Sequence, residues 1–241
     1  MWQVAKYEPT ALFSLRPMNA TTSGGKTLVT PTPFAIKMAL LDVAIRIHGV
    51  TNAEAWFPFL RDLQVAVCLP EFLMVNNTFI KILRPHKSGP KDLLGTGLEG
   101  PMGNTIAYRE LVQFGGALRI AIHEQTKSGE EIPSDLPVLL SQIHYLGKRG
   151  GFMQFTALEK VDELDEEFTH LSFAQETPFQ VNGLLQVLDD FGPKMTFEHA
   201  NVFSGKSISV GKENGRIIIP VIFPYKMVRS SRGFTLYERV R

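Results

Sequence analysis

The segment that most constrains how this chain can fold is residues 32–49, TPFAIKMALLDVAIRIHG. Thr32 is suited to cap a helix because its hydroxyl can accept from a free first-turn N–H, and Pro33 fits the first helical position, where no N–H is needed. Gly49 follows His48 as a natural terminator. Between these limits nearly every residue is apolar except Lys37, Asp42 and Arg46. A helix apolar on most of its sides must be covered by more than one layer, so the spacing predicts a helix deep inside a mixed fold.

The flanking segments supply the layers. Residues 4–17, VAKYEPTALFSLRP, read as a strand interrupted near Pro9. A loop rich in Thr, Gly and Pro (residues 18–32) carries Lys26. Residues 52–62 suit a short second helix or turn broken by Pro58. Two strand-like runs follow, QVAVCL (64–69) and FLMVNNTFIKIL (72–83). Residues 84–104 form an excursion punctuated by Gly and Pro. The run 106–124, IAYRELVQFGGALRIAIHE, reads as one long strand with a bulge at Gly115–Gly116. Leu136, Leu139, Leu140 and Ile143 lie at helical spacing from about Ser134, with Gly147 as terminator. KRGGFMQFTAL (148–158) then enters another strand.

The expected order is strand, helix, strand, strand, helix, strand, which is the α+β, ferredoxin-like (RRM-like) βαββαβ pattern. It carries a long insertion between its second and third strands, near 84–104. Residues 1–157 are expected to form this domain and 158–241 a small β-rich C-terminal unit. In the latter, LEKVDELDEE (158–167) reads as a solvated acidic surface and NGLLQVLDDFG (182–192) as a helix, before two strand-like runs.

Composition excludes more than it identifies. With 25 Lys and Arg against 24 Asp and Glu the net charge is +1, so any anion-binding surface has to be local. The single cysteine, Cys68, cannot form an internal disulfide, and in QVAVCLP it reads as a small buried residue. The N-terminal MWQVAKYEPT has neither an apolar core nor a cleavage site, and the apolar run 34–47 is too short and too charged to cross a bilayer. A cytoplasmic, soluble protein without membrane contact is expected.

Two loops have the chemistry of phosphate contacts. Residues 20–27, ATTSGGKT, meet a relaxed Walker A pattern, but five residues separate Lys26–Thr27 from the helix start and no alternating parallel βα series follows. A phosphate-binding loop must lead straight from strand to helix, so nucleotide hydrolysis is not expected. The loop still offers amides near Gly24 and Gly25, hydroxyls at Thr22, Ser23 and Thr27, and the Lys26 ammonium, which suit a sugar-phosphate backbone. The second loop is Gly147-Lys148-Arg149-Gly150-Gly151-Phe152, two cations framed by glycines that allow close approach of a phosphate. Phe152 can stack a base or fill the core, and alone it favours the core.

Lys226, Arg229, Arg232, Arg239 and Arg241 form a C-terminal basic cluster, which reads as a solvated face. The six histidines match no metal-ligand spacing, so neither metal nor cofactor is expected, and no nucleophile motif is present.

The runs SGGKTLVTPTPFAIKMALLDVAI (23–45) and YLGKRGGFMQF (145–155) resemble the Cas-five family of CRISPR-associated proteins, in the RAMP superfamily. PYKMVRSSRGFTLYERV (224–240) is similar to how such chains end. The resemblance implies a non-catalytic subunit of Cascade, the type I surveillance complex used in antiviral defence, that binds the 5′ handle of the guide RNA (crRNA). Implied partners are Cas-seven backbone subunits, a large subunit of the Cas-eight type and target DNA near the adjacent motif. The insertion corresponds to the family's thumb, so that Ser23, Gly24, Gly25, Lys26 and Thr27, the thumb residues His86, Lys87 and Lys91, and Lys148, Arg149, Gly150, Gly151 and Phe152 line the RNA path. One branch of the family cleaves the guide precursor with a Tyr, Lys and His set. That set has no convincing match here, so no catalytic residue is assigned, and a metal-independent endoribonuclease is the alternative.

Overall fold

The computed structural model describes residues 1–18, 20, 25–85, 102–171 and 182–240. The apolar helix forms as its sequence dictates: α1 spans Pro33–His48, the Thr32 side chain accepts from Ala35 N–H, and Gly49 ends it at φ 80°. Helix α2 (Val50–Asp62) continues through Pro58, longer than the short element expected.

Both helices share one apolar core with a five-stranded antiparallel sheet ordered β6-β1-β5-β2-β7. Its strands are β1 (Trp2–Pro9), β2 (Val65–Cys68), β5 (Leu118–His123), β6 (Met153–Val161) and the two-residue β7 (Thr169–His170). Alternation along these strands sends Ala5, Tyr7, Val65, Val67, Ile120 and Ile122 into the core with the helices. Helix α3 (Leu136–Ser141), shorter than expected, lies on the same side, and the buried Tyr7 hydroxyl donates to its Leu140 carbonyl at 2.7 Å. The other face carries the small side chains of Val4, Ala66 and Ala121. Residues 162–168 fold over it: Leu164 and Phe168 pack on those three, and Arg119 beneath pairs with Asp165 and Glu167.

Between β2 and β5 the chain leaves this sheet. Strands β3 (Phe72–Pro85) and β4 (Met102–Phe114) form a long hairpin in a second, four-stranded sheet ordered β10-β11-β3-β4, completed by β10 (Tyr225–Ser230) and β11 (Phe234–Arg239). The run 106–124 is therefore two strands, and Gly115–Gly116 is the corner between sheets. Gly115 N–H bonds the Phe72 carbonyl, and a Cβ on Gly115 would sit 2.9 Å from that oxygen. The insertion is accordingly longer than residues 84–104.

Residues expected as a helix in NGLLQVLDDFG form strand β8 (Leu184–Phe191), paired with β9 (Arg216–Phe223). Its burial pattern explains the misreading: the last four residues are all buried, so no two-residue alternation shows. A short helix, α4 (Phe197–Ala200), follows β8. The segment after residue 158 is spread over three sheets, with β7 on β2, β11 on β3, and β8 against α1.

The three polar positions of α1 now separate. Lys37 is fully buried, 2.6 Å from the equally buried Asp190 of β8, and its Nζ also donates to the Arg61 carbonyl at 2.8 Å. Burial lowers Lys37 to about 8 against the upward pull of Asp190. Asp42 and Arg46 pair on the exposed side at 3.0 Å. Among the described residues no helix is long and apolar enough to cross a membrane.

Candidate functional site

The two glycine loops meet at the edge strand of the second sheet. Phe13 exchanges backbone hydrogen bonds with Val112 of β4, and Glu110 N–H bonds the Gly25 carbonyl at 2.7 Å. The loop thus lies along β4, and it can do so because residue 25 is glycine: a Cβ there would come within 2.2 Å of the Tyr108 carbonyl oxygen. The buried Thr27 holds the neighbouring segment, accepting from Leu15 N–H at 3.0 Å and donating to the Leu28 carbonyl at 2.9 Å. On the other side Lys148 N–H bonds the Ser14 carbonyl at 3.3 Å. Gly147 turns there at φ 73° with the Phe13 ring 3.1 Å from where its Cβ would be.

Between these loops is a cleft of about 340 Å³ lined by Ser14, Leu15, Arg16, Gly25, Lys26, Arg109, Gly147 and Lys148. Four cations converge on it from four separate parts of the sequence. Among the described residues no carboxylate is within ion-pair distance of Arg16, Arg109 or Lys148. Arg16 donates to the Ala20 carbonyl and Arg109 to the Tyr108 carbonyl, which orients both guanidinium groups without neutralising them.

Lys26 differs from them. Its Nζ is 2.5 Å from Oε1 of Glu110, a carboxylate only 8% exposed that also accepts from Thr27 N–H at 3.1 Å. The hydrogen bond to Glu110 raises the Lys26 pKa. Tyr237 of β11 belongs to the same cluster, its hydroxyl pushed up by burial and by the Glu110 charge. Lys26 and Tyr237 are thus both held in their protonated, donating forms, and neither is tuned toward a base.

Of the residues singled out in the sequence, Gly25, Lys26, Thr27 and Lys148 come together at this cleft or directly behind it. Arg149 and Gly150 are exposed beside it, Gly150 at φ 103°, and the buried Gly151 closes the turn, its N–H on the Lys148 carbonyl and its carbonyl on Leu146 N–H. Phe152 is 48% exposed, against the core placement favoured from sequence, because its backbone bridges Tyr145 and directs the side chain outward. Ser23, Gly24, His86, Lys87 and Lys91 lie outside the described residues. Arg16, Arg109, Glu110 and Tyr237 were not singled out. No local pattern marks them: Arg109, Glu110 and Tyr237 enter the cluster through strand pairing, and Arg16 through the loop segment that runs beside β4.

The C-terminal basic cluster disperses. Arg239 is drawn inward, its guanidinium 3.1 Å from Cys68 Sγ and 3.2 Å from Glu167, while Lys226 pairs with Glu238 and Arg229 and Arg232 stay exposed. Arg241 lies outside the described residues. Cys68 is buried, as its sequence setting suggests.

No family model matches the chain. The chain is 26% identical over 208 residues to CRISPR-associated protein Cas5 of Archaeoglobus fulgidus, an alignment covering 82% of each protein. A chain of a CRISPR RNA-guided surveillance complex has the same fold with a TM-score of 0.50, at 12% identity, over 92% of this chain and 88% of that one. A CRISPR protein from Archaeoglobus fulgidus known by crystal structure superposes at 0.49 and 12% identity, over 100% of this chain and 92% of that one. The resemblance read from the two loop motifs thus agrees with the curated relative that spans most of the chain, and what the chain is similar to is a Cas5 CRISPR-associated protein.

Proposed function

We propose that this chain is a non-catalytic RNA-binding subunit of a type I CRISPR surveillance complex, and that the cleft between its two glycine loops holds the 5′ handle of the guide RNA. The observation that carries this reading is the convergence of Arg16, Lys26, Arg109 and Lys148 on one groove in a chain whose net charge is only +1. Lys26 is balanced by Glu110, but among the described residues Arg16, Arg109 and Lys148 have no carboxylate partner. Such an excess of cations favours a polyanion, and glycine-lined walls let a phosphate reach the main chain. The partners on this reading are Cas-seven-type backbone subunits, a large Cas-eight-type subunit and target DNA near the adjacent motif.

The fold supports it in two ways. Taking only β1, β2, β5 and β6 as strands one to four, the sheet order is four-one-three-two with α1 and α3 on one side, which supports reading this part of the mixed α+β fold as ferredoxin-like. The β3–β4 hairpin then stands where a thumb is expected, between the second and third strands. In RRM-type domains of this arrangement RNA occupies the sheet face away from the helices. Here residues 162–168 cover that face and present carboxylates, so the open cationic route is the cleft.

The test is co-expression with a CRISPR array and the neighbouring subunits, followed by ultraviolet cross-linking of bound RNA. Cross-links from the Lys26 and Lys148 loops to the first nucleotides of the guide support the reading; a guide-loaded complex with neither contradicts it. Metal-independent cleavage is the second reading, in which Tyr237, electrostatically linked to Lys26 and Glu110, would act on the RNA. Incubation of repeat RNA with the protein in EDTA decides it, since cleavage lost in Tyr237→Phe would make this chain an endoribonuclease.

A further inference from the structure

The four-stranded sheet has two unequal faces. Toward the core it presents Leu73, Val75, Val112 and Phe114, all buried. On its other face strand pairing sets out Arg229, Leu236, Met74 and Gln113 in one row across β10, β11, β3 and β4. The next row is Phe234, Asn76 and Leu111, then Thr78 beside Arg109; Phe72 and the Lys226–Glu238 pair lie at the opposite end. None of these residues is buried, and Phe72 is 41% exposed. A solvated antiparallel face is ordinarily dominated by polar side chains, whereas this one mixes two aromatics and three aliphatics with amides and arginines.

The charge on this face is one-sided. Glu238 is its carboxylate and already faces Lys226 at 3.5 Å. Among the described residues Arg229 and Arg109 have no acidic partner, and the Arg229 guanidinium lies 5.7 Å from the centre of the Phe234 ring. Arginine beside aromatic rings and amide groups on an open antiparallel sheet is the chemistry that stacks bases and neutralises phosphates of a single strand. A protein partner seated on apolar residues alone would not call for unpaired guanidinium groups on both edge strands of the patch.

Arg109 connects this face to the cleft. It belongs to the outer face by register, opposite Thr78, and it lines the cleft at the edge of β4 along which the Phe13 and Gly25 segments run. We propose that the single-stranded RNA held in the cleft continues past Arg109 over the edge of β4 onto this outer face, where Phe234 and Arg229 take a base and a phosphate. This rests on the RNA-binding reading and extends it to a second segment of the same strand.

The test uses the complete ribonucleoprotein complex, with cross-linked nucleotides mapped for the wild type, Phe234→Leu and Arg229→Gln. Both substitutions are conservative at unburied positions, and an unchanged thermal midpoint checks the fold. The expected result is a cross-link from the 229–236 hairpin to nucleotides adjacent to those touching Lys26 and Lys148. Guide affinity should fall about 5- to 150-fold in Phe234→Leu, the range for losing one stacked base. Cleft cross-links without any from this hairpin would overturn the extension and leave the cleft reading intact; absence of both would remove both. Unchanged RNA footprints with weakened attachment of another subunit would show that the face binds protein and overturn the proposal.

Discussion

Lys37 and Asp190 show how one pair of side chains can tie distant parts of the chain together. Each is fully buried, and Asp190 has further support from Phe191 N–H at 2.7 Å and from the partly exposed Lys127 at 3.4 Å. Removing one partner leaves a charge in the interior, so Lys37→Met should cost about 3 kcal/mol in urea unfolding, more than the double variant with Asp190→Leu. A single variant as stable as the wild type would show that Asp190 finds enough compensation in Lys127. His170 allows a second test at this scale. Burial beside Trp2 lowers its pKa below the ordinary histidine value of 6.5. Between the lowered and ordinary values the unfolded chain binds the extra proton, so stability from this group is present above pH 6.5 and declines as pH falls. His170→Gln should flatten the acid slope of the thermal midpoint, and an unchanged slope would exclude His170 as its source.

At the scale of elements, the glycine loops depend on close packing against β4. Gly25→Ala drives a Cβ into the Tyr108 carbonyl, so the loop has to lift and lose its bond from Glu110 N–H. The expected cost is about 1–3 kcal/mol, as for other overpacked sites. Guide affinity should fall at least in proportion to the displaced Lys26, and an unaltered affinity would remove this loop from the RNA path. Elements set by local chemistry were legible in the sequence: the α1 caps Thr32, Pro33 and Gly49, and the turn at Gly147 through Gly151. Elements whose pattern depends on what covers them were not. Strand β8 is buried along its last four residues and loses its alternation, while Gly115–Gly116 turns between sheets although a bulge has the same local signature. Arg16 and Arg109 were invisible for a related reason, because isolated arginines become a site only when the hairpin brings them to the loop carrying Lys148.

For the whole molecule, the distribution of charge matters more than its sum. Carboxylates cluster over residues 162–168 on the reverse side of the five-stranded sheet, while Arg16, Lys26, Arg109 and Lys148 share one groove. Binding dominated by that groove should weaken steeply with salt. Lys148→Ala should reduce the slope of log affinity against log salt by about 0.7, the value for one lost phosphate contact on a single strand. A lowered affinity at unchanged slope would mean that Lys148 acts through structure instead of charge. The central claim, that the cleft holds the handle of the guide, is tested most directly by mapping cross-linked nucleotides in the co-expressed complex of the wild type and of an Arg16→Glu/Lys148→Glu variant. The expected result is a wild-type cross-link between the 147–152 loop and the first nucleotides of the guide, lost in the variant together with stable loading of this chain. Guide loading that is equal in both, with no cross-link to either loop, would contradict the claim.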